Sequence, residues 1–330
     1  MKKSLALLLS VTMILSLAAC GQPFQPSNET TAAASAVETE AAVTDAVQPV
    51  ETKSVDTDTE GDDFASKLQG ILDNASEDSL KKVLDAGVLS CGCEGNWIPY
   101  LYYDKNNSEN LTGFHAEVAK KIGEKLGVQV KFDVASQFDG ILAGLQSRRY
   151  DCISEGLKNS TIEPFEGLTN SVLYNQDMPV IIVAKDNTEI VDIPSMEGKK
   201  AGNSTTSSYG KIAFNAGCDC NPDLDFAMAI NGIMNGTIDL TVNSMVVYNT
   251  YLESYPEAAD KIKIAFIYEP EKVEDLQGGI TLRSEDVSLT EAINLAIEEL
   301  LEDGTIIELS RQFMGDEFTD SAVLYQKYQQ

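Results

Sequence analysis

The sequence predicts an α/β protein of two lobes with a cleft between them. Three observations lead to that fold class. Short apolar runs alternate with helical segments of about ten residues, the pattern of parallel βαβ units. The chain has 330 residues, enough for two ordinary domains. Residues 180–184 carry it out of the first set of units and residues 278–282 bring it back, so two crossing strands form a hinge.

The first strand is residues 88–93, after a helix that Ser79 caps and Gly87 ends. It closes on an acidic and aromatic turn, Glu94-Gly95-Asn96-Trp97-Ile98-Pro99-Tyr100. In open α/β sheets, ligands bind at such carboxyl ends of strands. A polar loop follows, then a helix over 114–125 with Val118, Ile122 and Leu126 on one face and Gly127 as its stop. Residues 128–134 form the second strand and 138–147 the second helix, with Ile141, Leu142 and Leu145 inward. Residues 151–154 form the third strand, entering a turn at 155–158. Right-handed crossovers place the first strand between the second and third.

In the second lobe, residues 198–202 open a βα unit, with a Ser/Thr cluster at 204–208 where its helix begins. A helix over 227–234, a strand over 238–242 ending at Asn243 and Ser244, a helix over 246–252 and a strand over 262–268 complete the lobe. Back in the first lobe, residues 290–301 form an amphipathic helix with Ile293, Ile297, Leu300 and Leu301 on one side. A break at Asp303-Gly304-Thr305 leads to a closing helix over 306–314. The expected organisation is residues 76–182 plus 275–330 for lobe 1 and 183–274 for lobe 2.

The N-terminus is of another kind. Lys2 and Lys3, an apolar core over 5–17 and the small residues before Cys20 read as a signal peptide of residues 1–19. Leu17-Ala18-Ala19-Cys20 resembles a bacterial lipobox, which makes Cys20 the lipidated N-terminus, carrying acyl chains such as palmitate; a plain signal peptide is the alternative. At about 0.8 kcal/mol per buried CH₂, two or three chains anchor stably. Residues 20–75 are rich in Thr, Ala, Glu and Ser, and read as a disordered acidic linker, with helical spacing over 64–74. The chain carries 24 basic and 52 acidic residues, net −28. That argues against nucleic acid and against polybasic attachment to anionic lipid.

Five segments carry a resemblance to a known family: Ala86-Gly87-Val88-Leu89, Leu111-Thr112-Gly113-Phe114, Gly140-Ile141-Leu142-Ala143-Gly144-Leu145-Gln146-Ser147, Gly198-Lys199-Lys200 and Leu300-Leu301-Glu302-Asp303-Gly304-Thr305. Each is weak alone, but their order over residues 79–316 resembles the family 3 extracellular solute-binding proteins, the amino-acid receptors of ABC importers. The resemblance implies a periplasmic-binding-protein-like (type II) fold that closes on its ligand. It also implies a site. Glu94 and the Trp97-Ile98-Pro99-Tyr100 turn resemble the family's acidic and aromatic turn, and Phe138 resembles its second ring. Trp97 and Phe138 would sandwich a ligand; a core role is the alternative for Trp97. The family's hydroxyl positions resemble Glu155, Gly156 and Lys158, and its carboxylate-binding Arg falls on Glu163. Its ammonium-binding Asp falls on Asn243 or Ser244. Both charges that hold an α-amino acid are thus replaced, and a bidentate Arg is not substituted without loss. Lys158 would stand in for the Arg, or pair with Glu155; Glu94, Glu155 and Glu163 equally suit a cationic ligand. Ser204, Thr205 and Thr206 would hold an anionic group at a helix N-terminus, or simply cap it.

Beyond Cys20 there are five cysteines, Cys91, Cys93, Cys152, Cys218 and Cys220. Cys91 and Cys93 share a strand face, with Cys152 expected on the adjacent strand. Buried thiols, a disulfide from Cys152 to one of the pair, and metal or cluster binding are the readings for these three. Cys218 and Cys220, in a loop before Asn221-Pro222, read as a reversible pair or as free thiols, and the odd count leaves at least one thiol free or paired between chains. The single histidine, His115, reads as a packing or capping residue. No catalytic triad, zinc motif or phosphate loop is present, and no cofactor is expected. The expected function is a monomeric, lipid-anchored, extracytoplasmic binding protein that delivers a small polar, amino-acid-like solute to an ABC permease. A sensory or orphan surface lipoprotein is the alternative. A lyase resembling cyclohexadienyl dehydratase is a further one, disfavoured by the same missing Arg.

Overall fold

The protein is described from a computed structural model covering residues 58–135, 137–157, 165–270 and 272–315. Residues 1–19, expected to be a signal peptide, and Cys20, Lys158 and Glu163 lie outside these residues.

The described residues open with α1 (Asp58–Asn74) and α2 (Ser79–Ala86), then β1 (Val88–Cys93). A small antiparallel sheet follows, β2 (Asn96–Trp97), β3 (Leu101–Asp104) and β4 (Asn107–Thr112), where the sequence suggests only a polar loop. Its signal was the aromatic run at 100–103 before a tight turn between the paired Asp104 and Asn107. The first βαβ units continue with α3 (Phe114–Leu126), β5 (Gln129–Val134), α4 (Phe138–Gln146) and β6 (Cys152–Leu157). Strands β7 (Leu168–Asn170) and β8 (Asn175–Gln176) lead to the crossing. The second lobe comprises β9 (Pro179–Ala184), β10 (Lys200–Ala201), α5 (Ser208–Asn215), β11 (Asp219–Cys220), α6 (Phe226–Asn235), β12 (Leu240–Ser244), α7 (Met245–Ser254) and β13 (Ile262–Ile267). The return is β14 (Gln277–Arg283), followed by α8 (Val287–Glu302) and α9 (Thr305–Met314).

The first sheet has the order β5-β1-β6-β14-β7, with β8 also on β14. Strand β1 sits between β5 and β6, parallel to both, as the crossover rule requires. The second sheet runs β11-β10-β12-β9-β13. Strand β9 pairs with β12 and β13, so residues 179–182, assigned to lobe 1 from sequence, lie in the second sheet. Beneath the first sheet, Leu89, Val118, Ile122, Ile293 and Ile297 form one core; Ile141, Leu145 and Ile153 form another on its opposite face.

Two further corrections concern local structure. Residues 155–157 continue β6 rather than turning. Gly156 has φ +57°, which a glycine supplies at no steric cost, and the irregularity is absorbed opposite β14 where the register shifts. A Cβ there would lie 2.3 Å from His115 Cε1. Residues 58–74, within the segment that composition assigns to the linker, form α1, so the helical spacing over 64–74 is a real helix extended by about one and a half turns. Its Phe64 is buried and its Leu68, Ile71 and Leu72 pack on the lobe 1 core. That apolar stripe is what the acidic composition conceals.

Helix α8 has no side-chain cap of its own. Glu77 supplies it from far back in the chain: one carboxylate oxygen accepts from Ser288 N at 2.7 Å, and the other from Ser79 N at 2.6 Å. Partial burial opposes the charge, but the bonds from Ser288 and Ser79 prevail and hold the carboxyl down to about 2. A depressed carboxyl contributes stability above its unfolded value that is lost as pH falls through the folded one. Glu77→Ala is expected to cost about 1–2 kcal/mol at neutral pH, by denaturant unfolding. The difference should shrink below about pH 4.

Candidate functional site

Between the two sheets lies a cavity of about 450 Å³. The carboxyl end of β1 brings Glu94, Asn96 and Trp97 to it, the start of α4 brings Phe138, and the end of β6 brings Glu155. From the second lobe come Asn203 and Ser204, the N-terminal region of α5 with Tyr209, the start of α6 with Asp225 and Phe226, and Asn243 at the end of β12.

Glu94 and Glu155 face each other because β1 and β6 are in parallel register, Cys91 opposite Cys152, and each acid stands three residues further on. The Glu94 N–H donates to Glu155 Oε1 at 2.5 Å, and Glu155 is 1% exposed. Burial, and then the charges of Asp225 and Asp139, push the Glu94 carboxyl up; burial, and then the charge of Glu94, push Glu155 up. Asp223 and Asp225 add two more carboxyls to the wall. No lysine or arginine is among the described lining residues, and none of these four acids has a cation within ion-pair distance among the described residues.

Trp97 combines both readings of it: its ring packs on Tyr100 at a centroid distance of 4.5 Å while also lining the cavity. It meets the second lobe at Tyr209, 6.3 Å away and edge-on. Phe138 lines the cavity at the first position of α4.

Other expected site residues are placed differently. Tyr100 and Ser244 are fully buried and do not line the cavity. Tyr100 Oη lies 3.2 Å from Ser244 Oγ, which donates to Asp177 Oδ1 at 2.7 Å, and the Tyr209 hydroxyl donates to the other Asp177 oxygen. Asp177 stands on the crossing between β8 and β9, so this chain of bonds ties the lobes at the hinge. Ser244 Oγ also accepts from Val246 N, capping α7. Ser204 lines the cavity, but its hydroxyl donates to Asp139 Oδ1 at 2.9 Å, as does that of Thr206. These serve as a latch from lobe 2 to α4 rather than as an anion cradle; Thr205 and Thr206 do not line the cavity. The helix cap is Ser207, which accepts from Gly210 N at 2.9 Å. His115 is buried, stacked on Tyr100 at 5.0 Å, with Nδ1 3.0 Å from the Tyr174 hydroxyl, consistent with packing.

Sequence reasoning missed Asp139, Asp177, Tyr209, Asp223, Asp225 and Phe226. Asp225 had a signal: as N-cap of α6 it accepts from Met228 N, the capping offset ahead of an apolar run. Asp139 and Asp177 had none, since their side-chain partners are 32 or more residues away.

Comparison with known proteins agrees with the architecture. The pattern of the bacterial extracellular solute-binding proteins, family 3, matches residues 89–316. The L-cystine-binding protein TcyA of Bacillus subtilis (strain 168) is 30% identical over 251 residues, covering 74% of this chain and 90% of that protein. A probable amino-acid ABC transporter-binding protein of Haemophilus influenzae is 31% identical over 239 residues, covering 70% of this chain and 86% of that protein. Among solved structures, an ancestral arginine-binding protein bound to arginine superposes with a TM-score of 0.60 at 29% identity, over 69% of this chain and 99% of that one.

Proposed function

The chain belongs to the bacterial extracellular solute-binding proteins, family 3, and from that membership we propose that it is a lipid-anchored receptor that captures a cationic, amino-acid-like solute for an ABC permease. One observation carries the choice of ligand class. The cavity gathers Glu94, Glu155, Asp223 and Asp225 beside Trp97 and Phe138, with no described cation to offset them. A bound ammonium or guanidinium would meet carboxylates and ring faces together, and both favour it. The ligand enters the open cleft, the lobes close about the crossing segments, and the Asp139 bonds to Ser204 and Thr206 hold the closed form that a permease recognises. Cys20 anchors the body to the outer face of the membrane. The relatives' names, one a cystine-binding and one an amino-acid ABC transporter-binding protein, support an amino-acid-like solute and the transport role; the cationic class rests on the cavity alone.

The test is a thermal-shift screen of the purified protein with arginine, lysine, ornithine, diamines, cystine, glutamine and glutamate. A cationic ligand at about 100 times its Kd is expected to add about 2.7 kcal/mol of stability, with no shift from glutamate. A shift with cystine or glutamate alone would overturn the cationic class. By the resemblance, the family's ligand-holding Arg falls on Glu163 and its Asp on Asn243 or Ser244, which favours a second reading as a sensory or orphan surface protein. Silence across the whole panel would select that reading.

A further inference from the structure

Cys91 on β1 and Cys152 on β6 are register partners in adjacent parallel strands, so both side chains stand on the same face. Their Sγ atoms are 3.4 Å apart and both residues are fully buried. Neighbouring strands run about 4.8 Å apart, inside the Cα separation a disulfide spans. Small side-chain rotations therefore suffice to join the sulfurs. Cys93 has no such partner: two residues on, the register sets it against Ser154, and it packs with Leu101, Leu111 and Ala116. Cys218 is engaged elsewhere, its thiol donating to the Met196 carbonyl.

We propose that Cys91 and Cys152 form a structural disulfide that clamps β1 to β6 below the Glu94–Glu155 pair. The bond joins the two strands that bring Glu94 and Glu155 to the cavity, and it closes a long stretch of chain between residues 91 and 152. Its formation is an exchange with an exogenous disulfide oxidant, an exported dithiol oxidoreductase or a small disulfide. One cysteine thiolate attacks the oxidant to give a mixed disulfide. The second thiolate displaces the remaining oxidant sulfur, and both protons end on the released oxidant thiols. Hydrogen-bonded contact with Cys91 and burial raise the Cys152 thiol in the folded protein, so the exchange takes place while the chain is folding.

The full chain is refolded with glutathione disulfide or with a thiol reductant, alkylated after denaturation, and mapped by peptide mass spectrometry. The expected result is a peptide pair joined through Cys91 and Cys152 only in the oxidised sample, with a melting temperature higher by about 5 °C. Both thiols alkylated in the oxidised sample, a link through Cys93, or equal melting temperatures would overturn the proposal. The experiment needs no ligand and no compartment, so its failure leaves the receptor reading to its own screen.

Discussion

Arg283→Ala is expected to cost about 3–5 kcal/mol of folding stability, the largest single loss in the body of the protein. Arg283 ends β14, outside the cleft, and is 7% exposed. One guanidinium nitrogen donates to the Leu145 carbonyl at 2.9 Å and the Tyr150 carbonyl at 2.8 Å, satisfying acceptors where α4 ends. Another lies 2.5 Å from Asp286 Oδ2, and Asp286 is 4% exposed. Removing the cation leaves a buried carboxylate without its main partner and takes the side-chain donor from the Tyr150 carbonyl, while the Leu145 carbonyl keeps the Arg148 N–H at 3.1 Å. Burial already pushes the Asp286 carboxyl up against the pull of Arg283, so the orphaned acid would hold a proton at higher pH than before. The loss should therefore be greatest at neutral pH and shrink on acidification. Denaturant unfolding of R283A and of R283A/D286A measures it, and the double variant should recover part of the loss. Equal stability of R283A and the parent would show that the pair contributes nothing.

The second large effect is on binding. A cationic ligand is expected to bind more tightly as pH rises from about 5.5 to about 8.5, by no more than tenfold per unit for each proton released. Glu94 and Glu155 are both raised, chiefly by burial, so in acid they hold protons that a cation must displace. Above their raised values the carboxylates are already ionised and the dependence flattens. Glu94→Gln keeps the shape and removes the charge. A loss of about 2 kcal/mol or more, roughly 30-fold in Kd, is expected, with a flatter pH profile. Calorimetry across the pH range in buffers of different ionisation heat reads both affinity and proton release. Affinity independent of pH in the parent would remove these acids from the ligand contact.

The elements most legible in the sequence are those with strong local signals. Residues 88–93 agree with β1, and the helix beginning at Phe114 stops at Gly127, whose φ of +70° suits a glycine. The strand order β5-β1-β6 follows from crossover handedness alone. Where signals were brief or concealed, the reading slipped. The Gly156 irregularity resembled a turn, the meander after Trp97 resembled a loop, and only the 64–74 part of α1 showed through its acidic segment.

The site divides along the same line. That Glu94, Trp97, Phe138, Glu155 and Asn243 reach the cavity accords with the rule that ligands sit at the carboxyl ends of strands, but it was the resemblance to the family's site that singled them out. Residue periodicity pointed to the α/β class, and the resemblance supplied the place of the cleft and its acidic, aromatic character. What each group does there was decided by tertiary structure. The Asp139 latch to Ser204 and Thr206, the Tyr100–Ser244–Asp177–Tyr209 tie at the hinge and the choice of Cys91 over Cys93 opposite Cys152 all join distant segments. Periodicity says which face a side chain occupies, but only strand register and the meeting of the two lobes bring a partner within hydrogen-bonding distance.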